Sequence, residues 1–270
     1  MAVTVLLGKA GSGKSTQCYR EIQACADAGG KALLLVPDQA TYGAERHLAE
    51  SSIGQGFFGT QVVGFSRLAY KVFQERGLEH ASLSELARKI ILQRLLHKGE
   101  KEFSVLQTAA RQPNFADTAG RFLWECRSFC VTPEALRQAA ETAPSPTLSH
   151  KLEDISRLYE AYQAFLADHF GSADDTMTLL AREVGHYSFL QGACVWVDGF
   201  QWFTPQQMEI LRQIERVASQ VTITLTIDEA HLTQQRRETA LFHRAYEVYR
   251  DVKALFPHME TAVVENRLAR

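Results

Sequence analysis

Apolar residues occur in short runs near the start of the chain, and each run is followed by a stretch with helical periodicity. The segments Val3–Leu7, Lys31–Pro37 and Gln61–Phe65 predict buried β-strands, because a parallel strand covered on both faces is apolar along most of its length. The helices predicted after these strands are Gln17–Ala28, Thr41–Ser51 and Ser66–Glu75. This alternation is typical of an α/β protein with a parallel sheet.

The pattern changes at about Leu83, where helical spacing takes over for roughly a hundred residues. One apolar stripe with three- and four-residue steps is assigned to a helical core: Leu152, Ile155, Leu158, Tyr159, Tyr162, Phe165 and Leu166. Strands return at Ala193–Asp198 and Val221–Ile227, with a helix over Pro205–Ala218 between them. The sequence therefore predicts a parallel α/β sheet that is interrupted by a large all-α insertion.

A glycine-rich segment directly follows the first predicted strand. Residues 8–15 read Gly-Lys-Ala-Gly-Ser-Gly-Lys-Ser, a complete phosphate-binding loop of the form G-x-x-x-x-G-K-[ST] between a strand and a helix. In such a loop backbone N–H groups surround a phosphate, Lys14 reaches the β- and γ-phosphates, and Ser15 offers a hydroxyl to Mg²⁺. The predicted binding residues for ATP are Gly8, Lys9, Ala10, Gly11, Ser12, Gly13, Lys14, Ser15 and Thr16.

A phosphate loop also needs a carboxylate at the end of a neighbouring strand to hold Mg²⁺, and two positions qualify. Asp198 ends the apolar run Val195–Val197, whereas the sequence Asp-Glu-Ala-His at 228–231 follows the last predicted strand. The second segment spells a helicase signature letter for letter. We prefer Asp198 as the metal ligand beside Ser15, and Glu229 stays open as an alternative base for hydrolysis.

Composition limits the partners and the chemistry. Lysine and arginine total 29 against 31 aspartate and glutamate residues, so any DNA contact has to come from a local patch. The five cysteines are too scattered for a disulfide framework. Cys126 and Cys130 are expected to be small apolar residues on one helix face rather than a metal pair. No signal peptide or membrane-spanning run is recognisable, so a cytoplasmic location is expected.

The segment Val197–Gln207 resembles the acidic motif of UvrD-like, superfamily-one helicases, Val-Asp-Glu-Phe-Gln-Asp-Thr-x-x-x-Gln. The positions that match are Asp198, Phe200, Gln201 and Gln207. By the same alignment Asp228 matches the aspartate of the next helicase motif, Gly-Asp-x-x-Gln. Gly199 stands where those helicases have the glutamate that activates the attacking water, and Trp202 replaces an aspartate. The resemblance implies a site that binds ATP and Mg²⁺ but lacks the usual general base.

Four segments are similar in sequence to the B subunit of the AddAB (RexAB) helicase-nucleases: Val36–Arg46, Gly64–Phe73, Lys151–Ile155 and Asp198–Pro205. This resemblance covers most of the chain. It implies a bacterial machine that processes DNA double-strand breaks, in which the B subunit scans single-stranded DNA for the regulatory Chi sequence. It also implies a RecA-like 1A domain over residues 1–80 and 188–270, with a 1B insertion over 81–187.

Members of that family are several times longer than this chain, which therefore corresponds to their N-terminal portion. Their nuclease domain with its iron–sulfur cluster, and their second RecA-like domain, have no counterpart in this sequence. The implied partners are DNA and an AddA-type (RexA) motor-nuclease subunit. The implied DNA-binding residues are Gln39, Thr41, Ser66 and Arg67, with Tyr42 or Phe65 as stacking residues.

The sequence leaves three functions open. The first is a helicase-like portion that binds ATP and single-stranded DNA with weak or no hydrolysis. The second is an active ATP-driven translocase in which Glu229 or another acid is the base. The third is a scaffold with a vestigial nucleotide site, whose helical insertion serves the partner subunit.

Overall fold

Strands and helices alternate at both ends of the chain, and helices fill its middle. The computed structural model describes residues 2–51, 59–78, 83–112, 114–170, 176–228 and 242–264. Its strands are β1 (Ala2–Gly8), β2 (Ala32–Leu35), β3 (Thr60–Val63), β4 (Cys194–Val197), β5 (Gln220–Thr226) and β6 (Glu260–Val263). Its helices are α1 (Lys14–Asp27), α2 (Thr41–Ser51), α3 (Phe65–Arg76), α4 (Glu85–Gly99), α5 (Gln107–Ala110), α6 (Phe115–Ser128), α7 (Pro133–Glu141), α8 (Pro146–Phe170), α9 (Thr176–Glu183), α10 (Pro205–Glu215) and α11 (His243–Leu255).

The six strands form one sheet in the order β3-β2-β4-β5-β1-β6, and every neighbouring pair runs parallel. The predicted parallel α/β sheet is therefore confirmed. Because parallel strands have all their carboxyl ends at one edge, the segments that follow β1, β2, β3, β4 and β5 lie along the same edge of the sheet. The predicted site residues that the structure describes are located at the ends of these strands or on the segments that follow them.

Both faces of the interior strands are buried, which explains their apolar runs. Leu6, Leu34 and Trp196 pack with Cys18 of α1 on one face. The next residue in each strand points to the opposite face. Leu7, for example, belongs to a second cluster that includes side chains of α3, α10 and α11. A strand between two such layers has no polar face, so its residues are apolar at consecutive positions.

The chain divides into two compact units, residues 1–79 with 176–270 and residues 80–175. The first unit contains the sheet, and Leu180 of α9 is buried in its larger cluster. In the second unit the described residues form helices and turns around one core. The predicted stripe from Leu152 to Leu166 lies in this core, so that assignment is confirmed. Across the described residues, no helix is long and apolar enough to cross a membrane.

The prediction for Cys130 is wrong. Helix α6 ends at Ser128, and Cys130 adopts a left-handed backbone conformation with φ of 57°. The amide of Val131 donates to the carbonyl of Cys126 and that of Cys130 to Arg127, which is the hydrogen-bond pattern that terminates many helices. Cys126 is buried in the helical core whereas Cys130 is exposed, so the two do not share a helix face. All five cysteines lie in the described residues and none forms a disulfide.

Candidate functional site

The glycine-rich loop joins the carboxyl end of β1 to the amino end of α1. Gly11 and Gly13 have φ of 76° and 94°, a left-handed conformation that favours glycine. Gly13 precedes the first residue of α1, and this helix has no side-chain cap and no acidic residue in its first turn. The first N–H groups of a helix lack partners within the helix and attract anions. The loop therefore presents an electropositive helix end at the edge of the sheet.

The loop is closed tightly at its first residue. A Cβ atom at Gly8 would overlap Ser12 Oγ and would lie 3.1 Å from the carbonyl oxygen of Val264. The amide of Ser12 donates to the carbonyl of Lys9 at 3.1 Å, which folds the loop back on itself. Ser12 Oγ is buried and has no hydrogen-bond partner among the described residues. A side chain at position 8 would therefore require Ser12 and the carbonyl of Val264 to shift.

Lys14 is the charged group at the centre of the loop. It is only 7% exposed, and its Nζ donates to the carbonyls of Gly8 at 2.7 Å and Lys9 at 2.9 Å. Burial lowers the pKa of Lys14, and the negative charge of Asp198 opposes that shift. The ammonium group is thus held above the loop by two carbonyl oxygens that an anionic ligand can replace.

Asp198 follows β4 and lies on the same face of the sheet as α1. Its amide donates to the carbonyl of Leu35 at 2.9 Å, which continues the ladder between β2 and β4 by one residue. Its carboxylate is 7% exposed, and Thr224 Oγ1 donates to Oδ1 at 2.5 Å. The charge of Asp198 also contributes to the raised pKa of Cys18, which is a second sign that this carboxylate lies close to α1.

The register of the sheet relates Asp198 to the loop. Val197 of β4 pairs with Ile223 of β5, so Asp198 lies beside Thr224, and Thr224 pairs with Leu6 of β1 on its other side. Neighbouring strands are about 4.8 Å apart, so one intervening strand separates the ends of β4 and β1 by about 10 Å. Lys14 and Asp198 interact electrostatically across this gap. The two predicted metal ligands, Ser15 and Asp198, therefore belong to elements that flank the same space.

Asp228, the first residue of the second acidic segment, lies beside the loop. Asp228 Oδ2 forms an ion pair with Lys9 Nζ at 3.0 Å, and thereby ties the end of β5 to the first variable residue of the loop. The Lys9 side chain is 63% exposed, so this ion pair lies at the surface of the loop. Glu229 lies outside the described residues, so its role as an alternative base stays a prediction.

Gly199 has a conformational reason to be glycine. Its φ is 80°, in the left-handed region, and a Cβ atom there would contact Pro37 Cδ at 3.5 Å. A glutamate at this position would be strained by the backbone conformation itself. The turn that follows β4 therefore favours glycine at the position where the helicase motif has glutamate.

The predicted DNA-binding residues lie on the segments after β2 and β3, and three of them already have partners. The Thr41 hydroxyl donates to the carbonyl of Asp38 at 2.9 Å, and the Ser66 hydroxyl donates to Asp38 Oδ2 at 2.8 Å. Arg67 forms an ion pair with Glu45 at 2.6 Å. Gln39 is exposed. These residues are brought to one surface, and their contact with DNA stays a prediction.

Sequence reasoning missed Asp38, which connects the two segments. A Cβ atom at Gly64 would overlap Asp38 Oδ1 and would lie 2.9 Å from Asp38 Cα, so these two residues are packed against each other. Together with the bond to Ser66, this contact fixes the segment after β2 to the segment after β3. A glycine immediately after an apolar strand was the one sequence signal that marked such a close approach.

The two aromatic residues proposed for base stacking differ in exposure. Phe65 is 4% exposed and packs edge-on against Phe200, with ring centroids 5.5 Å apart, so it belongs to the core. Tyr42 is 75% exposed at the start of α2. Of the two, only Tyr42 presents a ring to solvent, and the stacking role of Phe65 is excluded in this conformation.

The observed fold is that of an α/β protein with an all-parallel sheet, in which a glycine-rich loop follows an interior strand. The chain belongs to the AddB family, because a family model described as "ADDB, N-terminal" matches residues 5–270. The predicted resemblance to that family is therefore confirmed.

Individual relatives agree with this assignment. The B subunit of the ATP-dependent helicase/deoxyribonuclease of Pelotomaculum thermopropionicum is 37% identical over 257 residues, which are 92% of this chain and 22% of that protein. The corresponding subunits of Desulforamulus reducens and Moorella thermoacetica are 35% and 34% identical over 92% and 94% of this chain, and the matches cover 22% and 23% of their lengths. The chain thus spans less than a quarter of the length of the curated relatives it matches.

Proposed function

We propose that this chain is the ATP-binding, helicase-like N-terminal portion of the B subunit of a helicase-nuclease that repairs DNA double-strand breaks. The unit of residues 1–79 and 176–270 is a RecA-like domain, and the unit of residues 80–175 is its helical insertion, so α9 belongs to the sheet unit although the sequence assigned it to the insertion over 81–187. One observation carries the proposal. A complete phosphate-loop motif connects β1 to α1, and the buried Asp198 lies near enough to influence the pKa of its lysine.

ATP binds with its phosphates in the loop Gly8–Thr16. Lys14 exchanges its bonds to the carbonyls of Gly8 and Lys9 for bonds to the β- and γ-phosphates, and the first N–H groups of α1 complete the cradle. The hydroxyl of Ser15 and the carboxylate of Asp198 hold Mg²⁺, an ion that prefers a few oxygen ligands and retains water. When bound, Mg²⁺ neutralises phosphate charge. The donors present fit this ion.

Hydrolysis is weak in this proposal. Gly199 occupies the helicase position of the general base in a left-handed turn that disfavours any larger residue. A missing general base typically lowers the rate by about 10²–10⁴-fold. ATP binding then serves to hold a conformation rather than to drive movement along DNA, and the AddA-type partner subunit supplies the motor.

Single-stranded DNA binds at the carboxyl edge of β2 and β3. Gln39, Thr41, Ser66 and Arg67 contact the phosphates, and Asp38 holds their two segments together. Because lysine and arginine do not outnumber acidic residues, binding rests on these local contacts. Membership of the AddB family supports this part of the proposal.

The test measures nucleotide binding and turnover separately. Binding of a fluorescent ATP analogue to the 270-residue chain in Mg²⁺ is expected to weaken at least about tenfold in Lys14→Ala, a loss of about 1.4 kcal/mol. Lys98→Ala, which removes an exposed lysine of α4, is the matched control. ATPase activity is then measured with and without single-stranded DNA in the wild type, Asp198→Ala and Glu229→Gln.

Binding that depends on Lys14 without DNA-stimulated turnover supports the proposal. DNA-stimulated turnover that is retained in Asp198→Ala and lost in Glu229→Gln contradicts it and identifies an active translocase. Equal, weak binding in the wild type and Lys14→Ala also contradicts it and leaves the scaffold function.

A further inference from the structure

Strand β5 contains two buried threonines where an interior parallel strand is normally apolar. Thr222 and Thr224 are 2% and 4% exposed, and they alternate with Val221, Ile223 and Leu225 of the core. Thr222 accepts a hydrogen bond at 3.3 Å from the side chain of Gln220 on its own strand. The Thr224 hydroxyl instead donates a hydrogen bond to the carboxylate of Asp198, which follows β4. The two hydroxyls therefore have different roles.

The bond from Thr224 defines the orientation of Asp198. It joins Thr224 Oγ1 to Asp198 Oδ1 at 2.5 Å, and both residues are more than nine-tenths buried. A threonine hydroxyl donates one hydrogen bond, and a β-branched side chain has restricted rotation at χ1. The donor is thus rigid, and it engages one of the two carboxylate oxygens. Oδ2 is the oxygen left for a cation.

We propose that Thr224 is a positioning residue that fixes the Asp198 carboxylate for Mg²⁺ and makes the nucleotide site prefer Mg²⁺ to Ca²⁺. This inference rests on the proposed ATP-binding function. Mg²⁺ takes few protein ligands in strict geometry, whereas Ca²⁺ takes more ligands, accepts flexible geometry and often binds both oxygens of a carboxylate. A carboxylate held by one oxygen suits the smaller ion, and Ca²⁺ has to compete with the hydroxyl for Oδ1.

Thr224 acts through Asp198 rather than on the nucleotide. Its neighbours in the sheet are Asp198, which follows β4, and Leu6 on β1, and it lies two residues before the end of β5. Removing its hydroxyl therefore changes metal dependence without removing any phosphate contact. Residues that orient a metal ligand typically contribute about 10–100-fold to metal affinity.

The experiment titrates Mg²⁺ and Ca²⁺ against binding of the fluorescent ATP analogue to the 270-residue chain. In Thr224→Val, which keeps the shape and removes the donor, half-saturation by Mg²⁺ is expected to rise about 10–100-fold. Half-saturation by Ca²⁺ is expected to change less, so the preference for Mg²⁺ declines. Metal-free binding of the analogue stays as in the wild type. Thr224→Ser, which restores the donor, recovers most of the Mg²⁺ response.

Thr222→Val is the matched control, since it removes a buried hydroxyl from the same strand and face without touching Asp198. The inference is overturned if Thr224→Val and Thr222→Val give the same Mg²⁺ and Ca²⁺ titrations. If Thr224→Val does not fold, Thr224→Ala and Thr224→Ser are compared in the same way, and equal titrations again overturn the inference. Failure of the proposed function is distinguishable, because the wild type then shows no Lys14-dependent binding at all.

Discussion

The replacement of Asp154 by alanine tests how the helical unit is held together. Asp154 lies on α8 and is fully buried. Its carboxylate accepts hydrogen bonds from three consecutive backbone amides of one turn. Ser104 donates to Oδ1 at 3.0 Å, whereas Val105 and Leu106 donate to Oδ2 at 2.8 and 3.0 Å. This turn leads into α5 and carries Leu106 into the core. One side chain therefore fixes a segment almost fifty residues away.

The magnitude follows from the groups that lose their partner. A hydrogen bond to a charged group contributes about 1.5–3 kcal/mol. The bond from the buried Leu106 counts fully, whereas those from the exposed Ser104 and Val105 count less because water can replace the carboxylate, so the three together give about 3 kcal/mol. We expect Asp154→Ala to lower the free energy of unfolding of this unit by about 3–5 kcal/mol, a large share of a typical domain's stability. Asp154→Asn keeps one oxygen for Val105 and Leu106, so its expected cost is about 2 kcal/mol.

Urea unfolding followed by circular dichroism measures these losses, and hydrogen exchange of the amides of residues 104–106 reports the turn directly. Lys151→Ala, an exposed position on the same helix, is the control and should change stability by less than about 0.5 kcal/mol. Asp154 does not hold this turn if Asp154→Ala unfolds like the control, or if these three amides keep their protection in the variant.

Three further predictions concern the sheet unit. Gly64→Ala forces a Cβ atom onto Asp38 and should lower stability by about 1–3 kcal/mol, measured by thermal unfolding. Glu45→Gln releases Arg67 from its ion pair and should tighten binding of single-stranded DNA at low salt, measured by fluorescence anisotropy. Burial and nearby carboxylates raise the pKa of the Cys18 thiol, so its alkylation at neutral pH should be the slowest of the five cysteines, measured by mass spectrometry.

Each of these predictions has a control within the chain. Gly43→Ala adds a Cβ atom that meets nothing within 4 Å, so a loss equal to that of Gly64→Ala would refute the steric argument. Glu50→Gln breaks the ion pair of Arg46, which lies on α2 like Glu45. An equal gain in DNA affinity would show that the gain comes from the loss of a negative charge and not from the release of Arg67. Exposed Cys130 should react first, and faster labelling of Cys18 would contradict its burial.

The parts of the fold that sequence could predict are those fixed by local patterns. The strands β1, β2 and β4 were recognisable because burial on both faces favours runs of apolar residues, and β5 was recognisable because apolar residues alternate with threonines. The phosphate loop was recognisable because its left-handed glycines and lysine have a fixed spacing. In contrast, all four residues of β6 are exposed, so this edge strand shows no burial pattern.

Contacts between distant segments had no such signature. Asp38 and Gly64 meet across twenty-six positions, and Asp154 binds amides almost fifty positions away. Gln207 matched a helicase motif, yet its side chain also accepts a hydrogen bond from the amide of Thr204 and caps α10. Gly199 shows both aspects: the sequence revealed a missing glutamate, and only the backbone conformation supplied the reason.

A structure of the 270-residue chain with a non-hydrolysable ATP analogue and Mg²⁺ tests the central claim most directly. We expect the phosphates inside the loop Gly8–Thr16, with Lys14 Nζ moved from the two carbonyls to the phosphates. We also expect Mg²⁺ between the Ser15 hydroxyl and Asp198. A nucleotide bound elsewhere, or a metal ion held by the carboxylates at 228–229 and not by Asp198, would contradict it.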